Sequence, residues 1–278
     1  VEHYNPHGLL GSHPVEPAFG GGVLVRSFHP DAEGCDVVLE GGESRPMQPL
    51  GGGVFGLHLP DRALPLSYRL RFSFPGGTTW ELVDPYRFLP TVGELDLYLF
   101  GEGTHRRLWQ ALGARPMELD GVRGTAFTVW APNAKRVSVV GAFNNWDGRL
   151  MPMRSLGSSG VWELFVPGVG AGELYKYEIK TQMGDLRVKT DPMARRMECP
   201  PQTASIVFET HYEWGDRAWM EDRAKRDITR EPVHIYELHL GSWARVPEDG
   251  YRSMSYREIA PRLVEHVKKL GFTHVELM

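Results

Sequence analysis

Cysteine is scarce in this chain. Only Cys35 and Cys199 occur among 278 residues, and they lack CxxC spacing. That excludes a disulfide-dense scaffold and a thiolate metal knuckle. Two plain thiols point to the cytoplasm; a single long-range disulfide in a secreted protein is the alternative. An excess of basic charge is also missing. Lys and Arg total 31 against 35 for Asp and Glu, a net charge of −4, which argues against a nucleic-acid partner. No apolar run reaches the length of a membrane span, and the N-terminus has no signal-peptide organisation. Val1 in place of Met reads as a processed or trimmed start. Phosphate loops and dinucleotide fingerprints are absent. Gly20-Gly21-Gly22 and Gly51-Gly52-Gly53 precede strands, with no helix following. His3, His7 and His13 are close in sequence but lack metal-ligand spacing, so the first residues read as a loose, unliganded segment. No metal and no cofactor is expected.

Glycine and proline are plentiful, at 32 and 21, and 41% of the residues are hydrophobic. The chain can bury a sizeable core, and its length suits more than one domain. It also repeats. Val23-Leu-Val-Arg-Ser-Phe-His-Pro30 matches Thr125-Ala-Phe-Thr-Val-Trp-Ala-Pro132, and Val37-Val38 matches Val139-Val140. Val54 to Leu59 matches Val161 to Val166, Tyr68 to Phe72 matches Tyr175 to Ile179, and Asp84-Pro85 matches Asp191-Pro192. The offset lengthens by five between the Val37 and Val54 matches, so the second copy has a longer loop within residues 141–160. Each copy consists of short period-two runs separated by Gly, Pro and Asp turns, the pattern of an antiparallel sandwich. One face of each run is expected to be buried, as with Val54, Phe55, Leu57 and Leu59, or Tyr68, Leu70 and Phe72.

The last stretch changes period. Val233 to Leu240 is a β run, expected to be a buried strand that leads into a loop. Ser255 to Leu270 is an amphipathic helix with a Ser255/Glu258 capping box, and Phe272 to Met278 is a second β run. Pro261 is expected to kink this helix or delay its start. Strand, crossover helix and strand make one βαβ unit of a parallel sheet. The fold class is therefore mainly β. Two tandem antiparallel, immunoglobulin-like β-sandwiches are followed by the first βαβ of a (β/α)8 TIM barrel. The expected domains are 1–93 for the first sandwich, 94–117 for a helical linker, 118–210 for the second sandwich, and 211–278 for a linker and the barrel's start. A whole barrel needs about 250 residues, so the chain is expected to continue past Met278.

Val139-Val-Gly-Ala-Phe-Asn-Asn-Trp-Asp147 ends a strand in a loop carrying two amides and an indole. Aromatic rings take the apolar face of a pyranose, while amides and cations meet its hydroxyls. Trp146, Asn144, Asn145 and Lys176 are thus the candidate glucan-binding residues. The same residues also suit a core tryptophan and an ordinary turn.

Together the Gly141-Ala-Phe-Asn-Asn-Trp146 loop, the Tyr175-Lys-Tyr177 strand and Asp191-Pro192 resemble a family 48 carbohydrate-binding module, over roughly residues 118–208. The resemblance implies a β-sandwich that binds or accompanies α-1,4-glucans. Glucan-binding members add a second Trp after the Tyr-Lys strand and an Asn near the last strand, where Leu186 and Ser205 stand here. Three further segments are Asn5-Pro-His-Gly-Leu-Leu-Gly11, Leu97-Tyr-Leu-Phe-Gly-Glu-Gly-Thr-His105 and Tyr236-Glu-Leu-His-Leu-Gly-Ser-Trp243. With them the whole chain resembles the α-amylase superfamily, glycoside hydrolase family 13, and within it the bacterial glycogen branching enzymes. That implies a glycosyltransferase of glycogen biosynthesis with a retaining two-step mechanism, acting on glycogen or amylose. No carboxylate here has the family's catalytic context. Glu237, Asp249, Glu258, Glu265 and Glu276 are among the carboxylates of the barrel piece, and none is assigned as catalytic; Glu237 and His239 read as inward-facing residues of its first strand. Two alternatives remain at this point. One is a stand-alone glucan-binding, non-catalytic fragment; the other is a debranching or trehalose-releasing hydrolase, against which the tandem repeat argues.

Overall fold

Period-two alternation becomes strands through most of the chain. The computed structural model describes residues 5–278. In chain order its first strands are β1 (Gly11–Pro14), β2 (Val23–Phe28), β3 (Gly34–Leu39), β4 (Ser44–Pro46), β5 (Gln48–Gly51), β6 (Val54–Leu59), β7 (Tyr68–Ser73) and β8 (Thr79–Val83). They form two antiparallel sheets, ordered β1-β2-β6-β5 and β4-β3-β7-β8. Alternation is clean in β7, where Tyr68, Leu70 and Phe72 face inward. In β6, Phe55 and Leu59 are buried while Val54 and Leu57 are only partly covered. Val23, Val25 and Val37 complete this core. Each such side chain contributes roughly 1.5–3 kcal/mol by leaving water.

Helix α1 (Glu94–Gly101) precedes the second sandwich. That sandwich comprises β9 (Gly113–Leu119), β10 (Val122–Trp130), β11 (Ala134–Gly141), β12 (Arg154–Ser155), β13 (Val161–Pro167), β14 (Leu174–Thr181), β15 (Leu186–Lys189), β16 (Arg196–Met197) and β17 (Ser205–Ile206). One sheet runs β12-β13-β10-β9; the other runs β11-β14-β17-β16, with β15 also on β14. The order β9-β10-β13-β12 repeats β1-β2-β6-β5, and β11-β14-β15 repeats β3-β7-β8. The sequence repeat is therefore a topological one. A buried clasp recurs with it. Tyr68 donates its hydroxyl to Asp84 Oδ2 at 2.6 Å, and Tyr175 donates to Asp191 Oδ2 at 2.6 Å. Each aspartate also accepts the backbone N–H two residues on, from Tyr86 or Met193.

Several expectations change. The stretch 94–117 is not one helical linker. α1 stops at Gly101, a single 3-10 turn covers Leu108–Gln110, and β9 begins at Gly113. Gly113 opens that strand at φ +88°. The N-terminal segment is not loose from Asn5 onward. Pro6–Gly8 is a 3-10 turn and β1 pairs with β2, while Leu10 and Tyr86 join the second sandwich's core. His3 lies outside the described residues. Trp80 packs against both cores.

The chain divides into two contact units between His211 and Tyr212. The second holds α2 (Arg217–Arg223), β18 (Ile235–Leu238), α3 (Leu240–Trp243), β19 (Arg245–Val246), β20 (Arg252–Ser253), α4 (Tyr256–Lys269) and β21 (His274–Leu277). β18 and β21 pair in parallel across α4, which completes the βαβ unit. Leu238, Leu263 and Val267 form its small core. Ser255 and Glu258 close the capping box. Pro261 does not delay the helix, which starts at Tyr256. β18 is not a buried strand: among its four residues only Leu238 is buried, and α3 rather than a loop follows it.

Candidate functional site

The loop after β11 is built by its own hydrogen bonds. Asn144 accepts the Gly141 N–H at Oδ1 (3.0 Å) and donates Nδ2 to the Val139 carbonyl (2.9 Å). Its side chain is therefore consumed inside the fold, and it is buried. The Trp146 N–H donates to the Gly141 carbonyl at 2.8 Å, and the Asp147 N–H to the Asn144 carbonyl at 3.0 Å. Asn145 and Trp146 are consecutive left-handed residues, with φ of 54° and 58°. For a bulky residue such as Trp this conformation is uncommon and costs of order 1–3 kcal/mol. The turn leaves Trp146 43% exposed, unlike a core tryptophan. The loop then passes close to β14 at Gly148, where a Cβ would meet the Glu178 carboxylate.

Lys176 sits on β14 opposite Val140, just before the turn that carries Trp146. Its neighbours Tyr175 and Tyr177 are buried, so Lys176 belongs to the opposite face. Its Nζ donates to Thr203 Oγ1 at 2.8 Å. Thr203 is exposed, and no sequence pattern marked it, because it lies in a turn far along the chain. Ser205, which stands where binding modules have Asn, is buried; it accepts the Asp191 N–H and donates to Met197 Sδ. Leu186 is 58% exposed on β15, opposite Lys180.

The four candidates therefore separate. Trp146 and Lys176 remain at the surface around the end of β11. Asn144 is a structural amide that holds the loop. Asn145 is exposed and lines a cleft of about 620 Å³ between the loop and the first sandwich.

In the C-terminal βαβ unit, Glu258 and Asp249 serve local structure. Glu258 accepts from the Ser255 N–H and from Arg252, whose guanidinium, with the cap, lowers the carboxyl to about 2. Glu237 and Glu276 stand opposite each other in the parallel register, both exposed. His239 Nδ1 lies 2.8 Å from Ser242 Oγ in α3, the short helix that follows β18. Among the described residues no group of three or more His, Cys, Asp or Glu is arranged for a metal ion.

Two family models match the chain. Residues 1–86 match the N-terminal domain of alpha-1,4-glucan branching enzyme GlgB, and residues 111–194 match carbohydrate-binding module 48, the isoamylase N-terminal domain. Curated relatives match from end to end. A protein from Myxococcus xanthus named 1,4-alpha-glucan branching enzyme GlgB is 51% identical over 281 residues, covering 100% of this chain and 38% of its own length. One from Streptomyces coelicolor, named 1,4-alpha-glucan branching enzyme GlgB 2, is 51% identical over 99% of this chain and 36% of itself. Another branching enzyme GlgB, from Rhodococcus jostii, is 48% identical over 100% of this chain and 37% of itself. The chain thus spans little more than a third of the length of these relatives.

Proposed function

We propose, from the premise that this chain belongs to the 1,4-alpha-glucan branching enzyme family, that it is the two-sandwich portion of a glycosyltransferase. The reaction cuts an α-1,4 bond of glycogen or amylose and passes the freed segment to a 6-hydroxyl. In retaining chemistry a carboxylate attacks the anomeric carbon while a second carboxyl protonates the departing oxygen. The acceptor hydroxyl then displaces the enzyme carboxylate and gives up its proton to the second group. No carboxylate among the described residues is assigned to either role. The first sandwich is assigned to residues 1–93, the second to residues 113–210, and the βαβ region to residues 211–278. The two plain thiols support a cytoplasmic setting. No helix among the described residues is long and apolar enough to cross a membrane.

The second sandwich contacts the glucan. The observation that carries this reading is the exposed Trp146, presented on a hydrogen-bonded loop next to β14, whose Lys176 donates to Thr203. The indole takes a pyranose face, and the ammonium and hydroxyl meet its edge. Trp146→Ala is expected to weaken retention on immobilised glycogen about tenfold, as loss of one ring contact implies. The urea midpoint should move little. Unchanged retention would sink the reading, and an accompanying large loss of stability would return Trp146 to the core.

A further inference from the structure

Asn145 and Trp146 are neighbours in sequence but serve different surfaces. Asn145 lines the cleft between the sandwiches, together with Phe143 and Asp147 from its own loop and His29, Asp31 and Trp80 from the first sandwich. At about 620 Å³ the cleft falls within the range of small-molecule sites, which favour such module boundaries.

Its chemistry mixes apolar and polar groups. Trp80 and Phe143 offer aromatic surface. Asn145 offers an amide donor and acceptor. The two carboxylates share one cation: Arg149 Nη2 donates to Asp31 Oδ2 at 2.9 Å and to Asp147 Oδ2 at 2.6 Å. Arg149 also donates Nε and its backbone N–H to Asp147, and the pairing holds that carboxyl below its ordinary value. Both carboxylates are then pure acceptors at neutral pH, suited to hydroxyl donors. Burial lowers the His29 pKa, so its ring is neutral there and adds no positive charge. With two carboxylates against one guanidinium, the cleft disfavours phosphates and other anions. A neutral polyol with an apolar ring face fits it.

We infer that this cleft holds a short stretch of α-glucan, so that the first sandwich supplies ligand contacts of its own through Asp31 and Trp80. The inference rests on the glucan reading above and extends it. Consecutive Cα atoms lie about 3.8 Å apart, so a single oligosaccharide can pass from Trp146 to Asn145 and on into the cleft.

The test is a titration of the whole 278-residue chain with maltoheptaose, following the indole N–H signals by NMR. Signals are assigned by through-bond correlation, so no Trp80 substitution is needed. The Trp80 and Trp146 signals should both move and saturate. Asp31→Asn and Asn145→Gly should each weaken the Trp80 response about fivefold, as one lost hydrogen bond implies. Glycine suits position 145 because φ there is +54°. Trp146→Ala should leave a Trp80 response in place. If Trp146 titrates while Trp80 stays still, the cleft proposal fails and the glucan reading stands. A Trp80 response that ignores both cleft substitutions also overturns the proposal. If neither indole moves, both readings fall.

Discussion

His7 packs edge-on to Tyr86, with ring centroids 5.1 Å apart and both ring nitrogens buried and unpartnered among the described residues. Burial, with Arg154 nearby, lowers its pKa from 6.5 to about 3. The unfolded chain therefore takes up the proton first. The stability His7 allows is fully present above about pH 6.5 and is lost as pH falls toward 3. Asp84 has the opposite sign. Burial raises it from 3.8 to about 6, so its contribution is fully present below 3.8 and lost as pH rises through 6. At pH 5 the wild type should have lost about 2 kcal/mol through His7 relative to pH 7. His7→Phe should abolish that loss and also remove an unsatisfied buried group. Asp84→Asn should remove a fall of about 2 kcal/mol between pH 4 and pH 7. Urea midpoints of both variants across that range check the signs; parallel curves would refute the assignment. The Asp84-Pro85 step stood out in the repeat, but the burial of His7 was not legible from its surroundings in the chain. His7 lies in a Gly/Pro-rich stretch whose composition reads as loose, and what buries it is Tyr86, far along the chain.

In β13 both faces are covered: Val161 to Val166 are all buried. Glu163 is among them at 0% exposure, a charge inside an apolar run. Arg154 Nε donates to Glu163 Oε1 at 2.9 Å, and its Nη2 meets the same oxygen. The Thr91 N–H and hydroxyl donate to Oε2 at 2.8 and 2.6 Å, and Arg154 Nη1 donates to the Phe88 carbonyl. The segment leaving the first sandwich is thereby fastened to the second. Glu163→Ala leaves Arg154 buried without its partner and should cost about 3–5 kcal/mol. A loss below 1 kcal/mol in chemical denaturation would show that water reaches Arg154. The repeat made strands β2, β6, β7, β10, β13 and β14 legible, because alternation and turn residues are local signals. The Ser255/Glu258 cap was legible for the same reason. The linker was not: the stretch 94–117 read as one helical segment, and β9 is defined by its pairing with β10, which local pattern does not reveal. Within the candidate site, Trp146 and Lys176 could be read from the motif, but the burial of Asn144 and the approach of Thr203 could not.

At the scale of the molecule, residues 217–230 carry Arg217, Arg223, Lys225, Arg226 and Arg230 in an exposed stretch near the start of the second contact unit. Exposed, sparsely packed backbone is where proteases cut first. Brief trypsin treatment should cleave there, leaving a resistant product that contains both sandwiches and still binds maltoheptaose. First cuts within residues 5–211 would contradict this division. The two sandwiches share topology and the Tyr–Asp clasp, yet they are not interchangeable. Between Gly141 and Val161 the second copy has five more residues than the first has between Leu39 and Val54. That added length carries the turn bearing Trp146 and includes Arg149, which reaches Asp31 in the other copy. A tandem of identical halves would have no front or back, and a polymer could meet either copy alike. The longer loop breaks that equivalence: a ligand finds the exposed indole and the bridging guanidinium on the second copy alone.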